Sequence, residues 1–443
     1  MKCTLWNLIT ILLLINPASL LAQESTPSLL EPVQIRNDID TLVSTMKKTH
    51  PTYKSWYESN NIDYLIDSIR QSITKPISEL EFFRIMQPFV AIDGHTSLLY
   101  YGPLYDDEDS PLIPFRVVIY DNNLYVKKNY SGNALLDKGA VIEKINGIPS
   151  KEIINNLYRY ISGEKETYKA RRLEEQFHVL MALVYGSFSS FTVTVNNSTL
   201  NLHGVGWGDF QEPSKPNFEL RFYDDNIAYI YKKMFMPPWG FLDFIDSAYA
   251  VIAERKIDYV IIDNLSGPGL TDLADTLISY FAKNPYRLME QKMTRVSALS
   301  TDLIKDKKDQ GNYENGYFIQ DYPLHHPARK NFFSGNTYIL NGPRSYSTGT
   351  CFPAAAKCYQ NAIIVGEESG QPLLSNGDQN QFVLPETKIT CITSLAVIYM
   401  PCNNGDTVNG VIPDYIYTPT LQDRLGEDNY TLDYTLKLIR ENQ

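Results

Sequence analysis

Thr337-Tyr338-Ile339-Leu340-Asn341-Gly342-Pro343-Arg344-Ser345-Tyr346-Ser347-Thr348-Gly349-Thr350, continuing into Cys351-Phe352-Pro353-Ala354-Ala355-Ala356-Lys357, reads as a strand, a tight loop and a helix of small residues. Four β-formers bounded by Asn-Gly-Pro give the strand and its turn, and the alanines beyond Ser347 give the helix. A serine at the mouth of a helix faces oriented N–H groups able to hold a developing oxyanion. Its hydroxyl is a weak nucleophile at neutral pH and needs a base within hydrogen-bond reach, usually histidine. Asp93-Gly94-His95-Thr96, at the end of an apolar helix-like run, offers one. Together the two stretches point to acyl transfer, with peptide hydrolysis as the leading reading.

Around the serine, strands and helices alternate from Phe218 onward. Ile227–Ile230, Tyr259–Ile262, Thr337–Leu340 and Ala362–Val365 read as strands, and Leu242–Ile252 and Asp272–Phe281 as helices. Alternation of this kind builds a sheet covered by helices. Lys283–Phe333 is polar and aromatic without a clean period, and is expected to be an insertion that shapes a cleft or lid. From Leu30 to Ala91 the apolar spacing is helical, broken at His50-Pro51 and Lys75-Pro76 because a residue before proline leaves the helical region. From Leu104 to Pro213 the period becomes that of strands, as in Phe115–Ile119, Asn123–Val126 and Phe191–Val195, with turns at Asp121-Asn122 and Asn146-Gly147.

The chain has 443 residues, 43% of them hydrophobic and 21% charged, which suits a globular protein of two or three domains. A net charge of −11 argues against a nucleic-acid partner, since phosphate binding needs a basic surface. Residues 1–22 carry Lys2, the apolar run Leu8–Ile15 and Pro17-Ala18-Ser19, with a cut expected after Ala22, in the order of a secretory signal. The mature protein is therefore expected to be exported to the periplasm, the outside or the envelope surface, and no later stretch is apolar enough to span a bilayer. Cys3 leaves with the signal. Of the remaining cysteines, Cys351 and Cys358 share a helix face without necessarily touching, and Cys391 and Cys402 flank a strand and could close a strand pair; buried free thiols are the other reading.

A series of short segments, read in order, resembles the S41 family of serine peptidases, which includes tail-specific and C-terminal-processing proteases and the tricorn core proteases. They are Asp93-Gly94-His95-Thr96, Gly139–Pro149 (PDZ-like), Tyr229-Ile230 with Phe235, Ile261-Ile262-Asp263, Ser345-Tyr346-Ser347, Val365-Gly366-Glu367-Glu368-Ser369-Gly370, and Gly410-Val411-Ile412-Pro413-Asp414. The resemblance spans nearly all of the mature chain. It implies an α/β multidomain fold: signal peptide 1–22, helical domain 23–103 carrying His95, PDZ-like β-rich region 104–215, and peptidase core 216–443 of ClpP/crotonase-like α/β type.

The resemblance also assigns roles. Ser347 is the implied nucleophile and His95 the implied general base, with the N–H groups of Thr348 and Gly269 as the oxyanion hole. No lysine lies between Lys357 and Lys388, where the bacterial processing branch has its base, so the Ser–His branch is implied. A late glutamate of that branch is replaced by Thr407, which makes the neighbouring Asp406 the candidate orienter, with Glu367 and Asp93 next. Against these roles stand plainer ones: Ser347 as a helix N-cap, and His50, His178, His203, His325 and His326 as rival histidines, His50-Pro51 looking structural. The loop Asn264–Leu270 keeps one of the family's two glycines. The alternative function is therefore a catalytically degenerate relative that binds peptides or apolar ligands without hydrolysis. Either way the partner is a peptide or protein, and no metal or cofactor is implied.

Overall fold

Val260, Ile261 and Ile262 are all fully buried, as expected of a strand covered on both faces by a layer of helices. The computed structural model describes residues 29–442, except 60–61, 101–109, 211–214, 236–239, 306, 308–309, 327–328 and 427–428. The expected signal segment, residues 1–22, lies outside the described residues.

Among the described residues, the strand Tyr259–Asp263 is central in the first of three six-stranded sheets. It pairs in parallel with Ile227–Lys232 on one side and Asn336–Asn341 on the other, and the order continues through Ile363–Gly366 to Tyr415–Ile416. Phe218–Tyr223 runs antiparallel at the opposite edge. Alternate side chains separate the two faces. Ala228, Ile230, Val260, Ile262 and Ile339 pack with the helices Phe241–Glu254, Thr271–Ile278 and Thr348–Cys358. Ile227, Tyr229, Ile261, Tyr338 and Leu340 pack with Leu432, Leu436 and Ile439 of the helix Tyr430–Glu441. Because Asp263 is in register with Leu340, the loops that follow these two parallel strands leave the same sheet edge side by side, which is where open α/β sheets hold their ligands.

The second sheet brings the histidine segment to that edge. The helix Glu79–Val90 starts with a capping box, Ser78 accepting from the Glu81 N–H while Glu81 accepts from Ser78. Beyond its end, Ser97–Leu99 adds antiparallel to Thr390–Ile392 of the long strand Thr390–Tyr399. The N-terminal helices also share their apolar cluster with Leu384, Ile389 and Cys391. The same sheet contains Gln291–Arg295, Asn312–Glu314 and Tyr317–Asp321. Among its described residues Lys283–Phe333 therefore contributes these three strands and the short helix Thr301–Lys305, contrary to the expectation of an insertion without regular period. The inward positions of the strands carry Lys292, Thr294 and Gln320 beside Phe318, so polar residues on the inward face hid the strand alternation.

The third sheet, from Phe115 to His203, packs against the helix Glu166–Tyr185 through Leu173, Phe177, Leu180 and Met181. That helix is joined to the first sheet's surroundings by ion pairs of Arg171 with Glu367 (3.1 Å) and of Glu174 with Arg424 (2.6 Å).

Cys358, at the end of the helix that begins after Ser347, is bonded to Cys402, and Cys351 and Cys391 are buried free thiols. The sequence left Cys391 with Cys402 as a possible pair and buried free thiols as the other reading; Cys402 is bonded to Cys358 instead, because the end of the helix and the end of the strand Thr390–Tyr399 meet, while Cys351 and Cys391 fit the free-thiol reading. A bridge across 44 residues is worth about 2–4 kcal/mol through its effect on the unfolded chain. Cys358→Ser with Cys402→Ser should lower unfolding free energy by about that much in denaturant titrations. Reductant should bring the wild type to the same midpoint and leave the variant unmoved; an oxidised wild type no more stable than the variant would refute a stabilising bond.

Candidate active site

Ser347 occupies the N-cap position of the helix Thr348–Cys358 with φ 57° and ψ −126°, a left-handed conformation that costs a non-glycine residue energy. Its hydroxyl makes no capping bond; it lies 3.0 Å from His95 Nε2 instead. The neighbours that hold the turn are all hydrogen-bonded. The Ser347 N–H donates to Gln371 Oε1 (2.7 Å), and Gln371 Nε2 donates to the Asn376 carbonyl (2.9 Å). Ser345 Oγ donates to the Asn264 carbonyl (2.6 Å) and accepts the Gly342 N–H (3.1 Å). Thr350 Oγ1 donates to the Ser345 carbonyl (2.8 Å). Ser345 is thus part of the scaffold, while Ser347, half-buried, presents its hydroxyl to the histidine.

His95 is fixed from its backbone side. Its N–H donates to Asp93 Oδ1 (2.9 Å), which also accepts from Ser394 Oγ (2.9 Å), and Asp93 Oδ2 pairs with His50 Nε2 at 2.8 Å. Burial alone would raise the Asp93 carboxyl, but the charge and hydrogen bond of the His50 ring prevail and hold it well below the usual carboxylate range. His50 therefore has a positional role, consistent with the structural reading of His50-Pro51. For His95, burial is the largest influence and lowers the imidazole pKa, against the opposing pull of Asp93 and Asp378. A lowered value keeps the ring neutral near pH 7, as a general base requires.

If His95 Nε2 is to accept the Ser347 proton, Nδ1 must carry the ring's own proton. Among the described residues no carboxylate is hydrogen-bonded to Nδ1; the backbone acceptor that bears on the ring is the Asn376 carbonyl, which favours its protonated form. Asp406 does not supply a carboxylate there. Its carboxylate accepts from the N–H groups of Val408 and Asn409 (both 2.8 Å) and from Asn409 Nδ2 (2.9 Å), so it closes its own turn. Those bonds lower its pKa, as expected of a satisfied turn carboxylate. The structure therefore corrects the sequence assignment of Asp406 as the orienter of His95. Glu367 is engaged with Arg171 and Asp93 with the His95 main chain, so neither reaches Nδ1.

On the other side of Ser347 lies the loop Asn264–Leu270. Gly269 runs so close to Phe235 that a Cβ would sit 2.0 Å from the Phe235 carbonyl oxygen. Its own carbonyl accepts from Thr348 Oγ1 (2.5 Å), which places the loop against the first residue of the helix. Among the described residues, no hydrogen bond engages the N–H of Thr348 or of Gly269. Asn264 braces this contact, donating from Nδ2 to the Gly349 carbonyl (2.7 Å) and accepting from Lys232 Nζ (3.0 Å). Lys232 is fully buried, with Nζ 3.9 Å from the centre of the Phe235 ring, and burial pulls its amine down to about 7. Lys232, Asn264 and Gln371 were not singled out from the sequence; the one available signal was a lysine ending an otherwise apolar central strand. Among the described residues, no cluster of three His, Cys, Asp or Glu is arranged to hold a metal ion.

No protein-family model matches the chain, and no curated protein matches it. Solved structures do. Mature CPAF is similar with a TM-score of 0.67 at 15% identity, over 92% of this chain and 98% of that chain. Mature CPAF complexed with lactacystin gives 0.66 at 15% identity, over 92% and 99%. The photosystem II D1 C-terminal processing protease gives 0.47 at 12% identity, over 88% and 94%. The chain has the fold of mature CPAF, and the expected α/β multidomain class is borne out.

Lys232 gives this site a measurable signature. Its folded pKa of about 7 lies below the usual 10.5, so between those values the unfolded chain binds the extra proton and stability rises with pH. The unfolding free energy of the wild type relative to Lys232→Met should therefore improve from pH 6.5 to pH 9.5. A difference that stays flat across this range would show that the amine is not desolvated.

Proposed function

We propose that this protein is a serine-type peptidase of the S41 kind, in its Ser–His branch, acting on peptides or proteins outside the cytoplasm. The observation that carries the reading is the 3.0 Å approach of His95 Nε2 to a Ser347 hydroxyl that caps nothing, on a strained turn between strand and helix. The shared fold of mature CPAF supports it.

In the proposed reaction, Ser347 Oγ attacks the peptide carbonyl while His95 Nε2 takes its proton. The carbonyl oxygen, now negative, is held by the N–H groups of Thr348 and Gly269. Collapse of this intermediate releases the amine, which receives the proton from His95, and a water activated by His95 then hydrolyses the acyl-serine. Export is supported by the signal-like residues 1–22 and by the Cys358–Cys402 bond, since disulfides persist in oxidising compartments. The PDZ-like reading of the Phe115–His203 sheet adds a site where an extended peptide would pair as an extra strand.

One observation favours the second reading, a relative that binds without cleaving: His95 Nδ1 has no carboxylate partner. A fluorophosphonate probe separates the two, because only an activated serine is labelled.

Ser347→Ala and His95→Ala should each reduce turnover by about 10⁴–10⁶, and the double variant should be little worse than either. Asp406→Ala should stay near wild type, since its carboxylate serves only its own turn. Labelling of Ser347 should fall at acid pH, with its midpoint below the usual histidine value of 6.5 because burial lowers the His95 pKa. A wild type that neither cleaves peptides nor takes up the probe would favour the binding-only relative.

A further inference from the structure

We infer that Tyr346 and Glu164 form a positioning strut that sets the distance between His95 and Ser347; this inference rests on the Ser–His reading above. Tyr346 is the chain neighbour of Ser347, and Gly94 is the chain neighbour of His95. The Tyr346 hydroxyl accepts the Gly94 N–H (2.9 Å) and donates to Glu164 Oε2 (2.6 Å). One buried phenol thus joins the segment bearing the base to the segment bearing the nucleophile, and anchors both to a third.

The packing leaves the phenol little freedom. Its ring stacks on Tyr168 at 4.4 Å and lies 5.1 Å from the His95 ring. A Cβ on Gly94 would fall 2.3 Å from Tyr346 Cζ, so this approach is open only to glycine. Ser162 Oγ, two residues before Glu164, donates to the Thr96 carbonyl (2.6 Å) and ties the same segments a second time.

The strut supplies what the site otherwise lacks. In a Ser–His–Asp arrangement a carboxylate on Nδ1 fixes the imidazole, and here, among the described residues, no carboxylate is hydrogen-bonded to Nδ1. The position of the ring must then be set through its main chain, from Asp93 on one side and the Gly94–Tyr346 bond on the other. Ser347 also sits at φ 57°, a conformation that relaxes unless its neighbours hold it. Glu164 accepts from Tyr346 at Oε2, and burial, with the nearby charge of Asp93, raises its carboxyl to about 8, so the group is largely neutral near pH 7. An acceptor oxygen is therefore the part of Glu164 that the strut uses, and the negative charge is dispensable.

Four variants of the full-length mature protein test this: Tyr346→Phe, Glu164→Ala, Glu164→Gln and the double Tyr346→Phe/Glu164→Ala. The readouts are the rate of fluorophosphonate labelling at Ser347, kcat and KM on a peptide substrate, and circular dichroism as a check of folding. Tyr346→Phe and Glu164→Ala should each slow labelling by about 10- to 100-fold, the scale of an ångström-sized misplacement. The loss should fall in kcat with KM unchanged, and the double variant should match the worse single one. Glu164→Gln, which keeps the acceptor, should stay within about 3-fold of wild type. If Tyr346→Phe misfolds, the contrast between Gln and Ala at position 164 decides the matter alone. Wild-type labelling with an undiminished Tyr346→Phe, or a Glu164→Gln as slow as Glu164→Ala, would overturn the strut and leave the peptidase reading standing. An unlabelled wild type would overturn both.

Discussion

The bond between His95 Nε2 and Ser347 Oγ joins residues 252 positions apart, and most of the architecture serves to close that gap. Each partner arrives on a different sheet. The serine leaves the end of a parallel strand; the histidine precedes a three-residue strand, Ser97–Leu99, added to the edge of Thr390–Tyr399. A three-residue strand is weak by itself. It is secured by Gln87, whose side chain accepts the Leu98 N–H and donates to Ser97 Oγ, and by the apolar cluster beneath it.

Around this bond the buried polar groups come in matched sets. Asp93 is surrounded by His50, Ser394 and the His95 N–H, and Lys292 lies 2.8 Å from Asp378. Burial without a counter-ion at hydrogen-bond distance shifts the group toward its neutral form, as it does for Lys232, whose amine donates only to the neutral Asn264 side chain. Among the described residues no carboxylate is hydrogen-bonded to His95 Nδ1, where a triad would place its acid, and the work of alignment falls on the main chain.

The overall fold was legible because the core strands are near-continuous apolar runs and the short segments fall in order along the chain. Ser347 and His95 were legible for the same reason, and the structure puts them 3.0 Å apart. What sequence spacing could not reveal was the direction of a side chain. Asp406 stands at a suggestive distance from Gly410 in the chain, yet its oxygens are consumed by Val408 and Asn409 two and three residues on. The strands within Lys283–Phe333 were hidden because Lys292, Thr294 and Gln320 occupy inward positions that pattern reading reserves for apolar residues. Tyr346, Glu164 and Gln371 act through contacts made across distant segments, which no local motif encodes.

The pairing of Ser97–Leu99 with Thr390–Ile392 also bears on when the site comes into existence. A nascent chain that has not yet emerged beyond Ile392 has no edge on which to seat the histidine segment, whatever else has folded. Contacts so distant in sequence form late, because the loop between them must close first. The proposed Ser–His pair is consequently incomplete until the strand Thr390–Tyr399 has folded, so the order of assembly along the chain sets the moment at which the two side chains first meet.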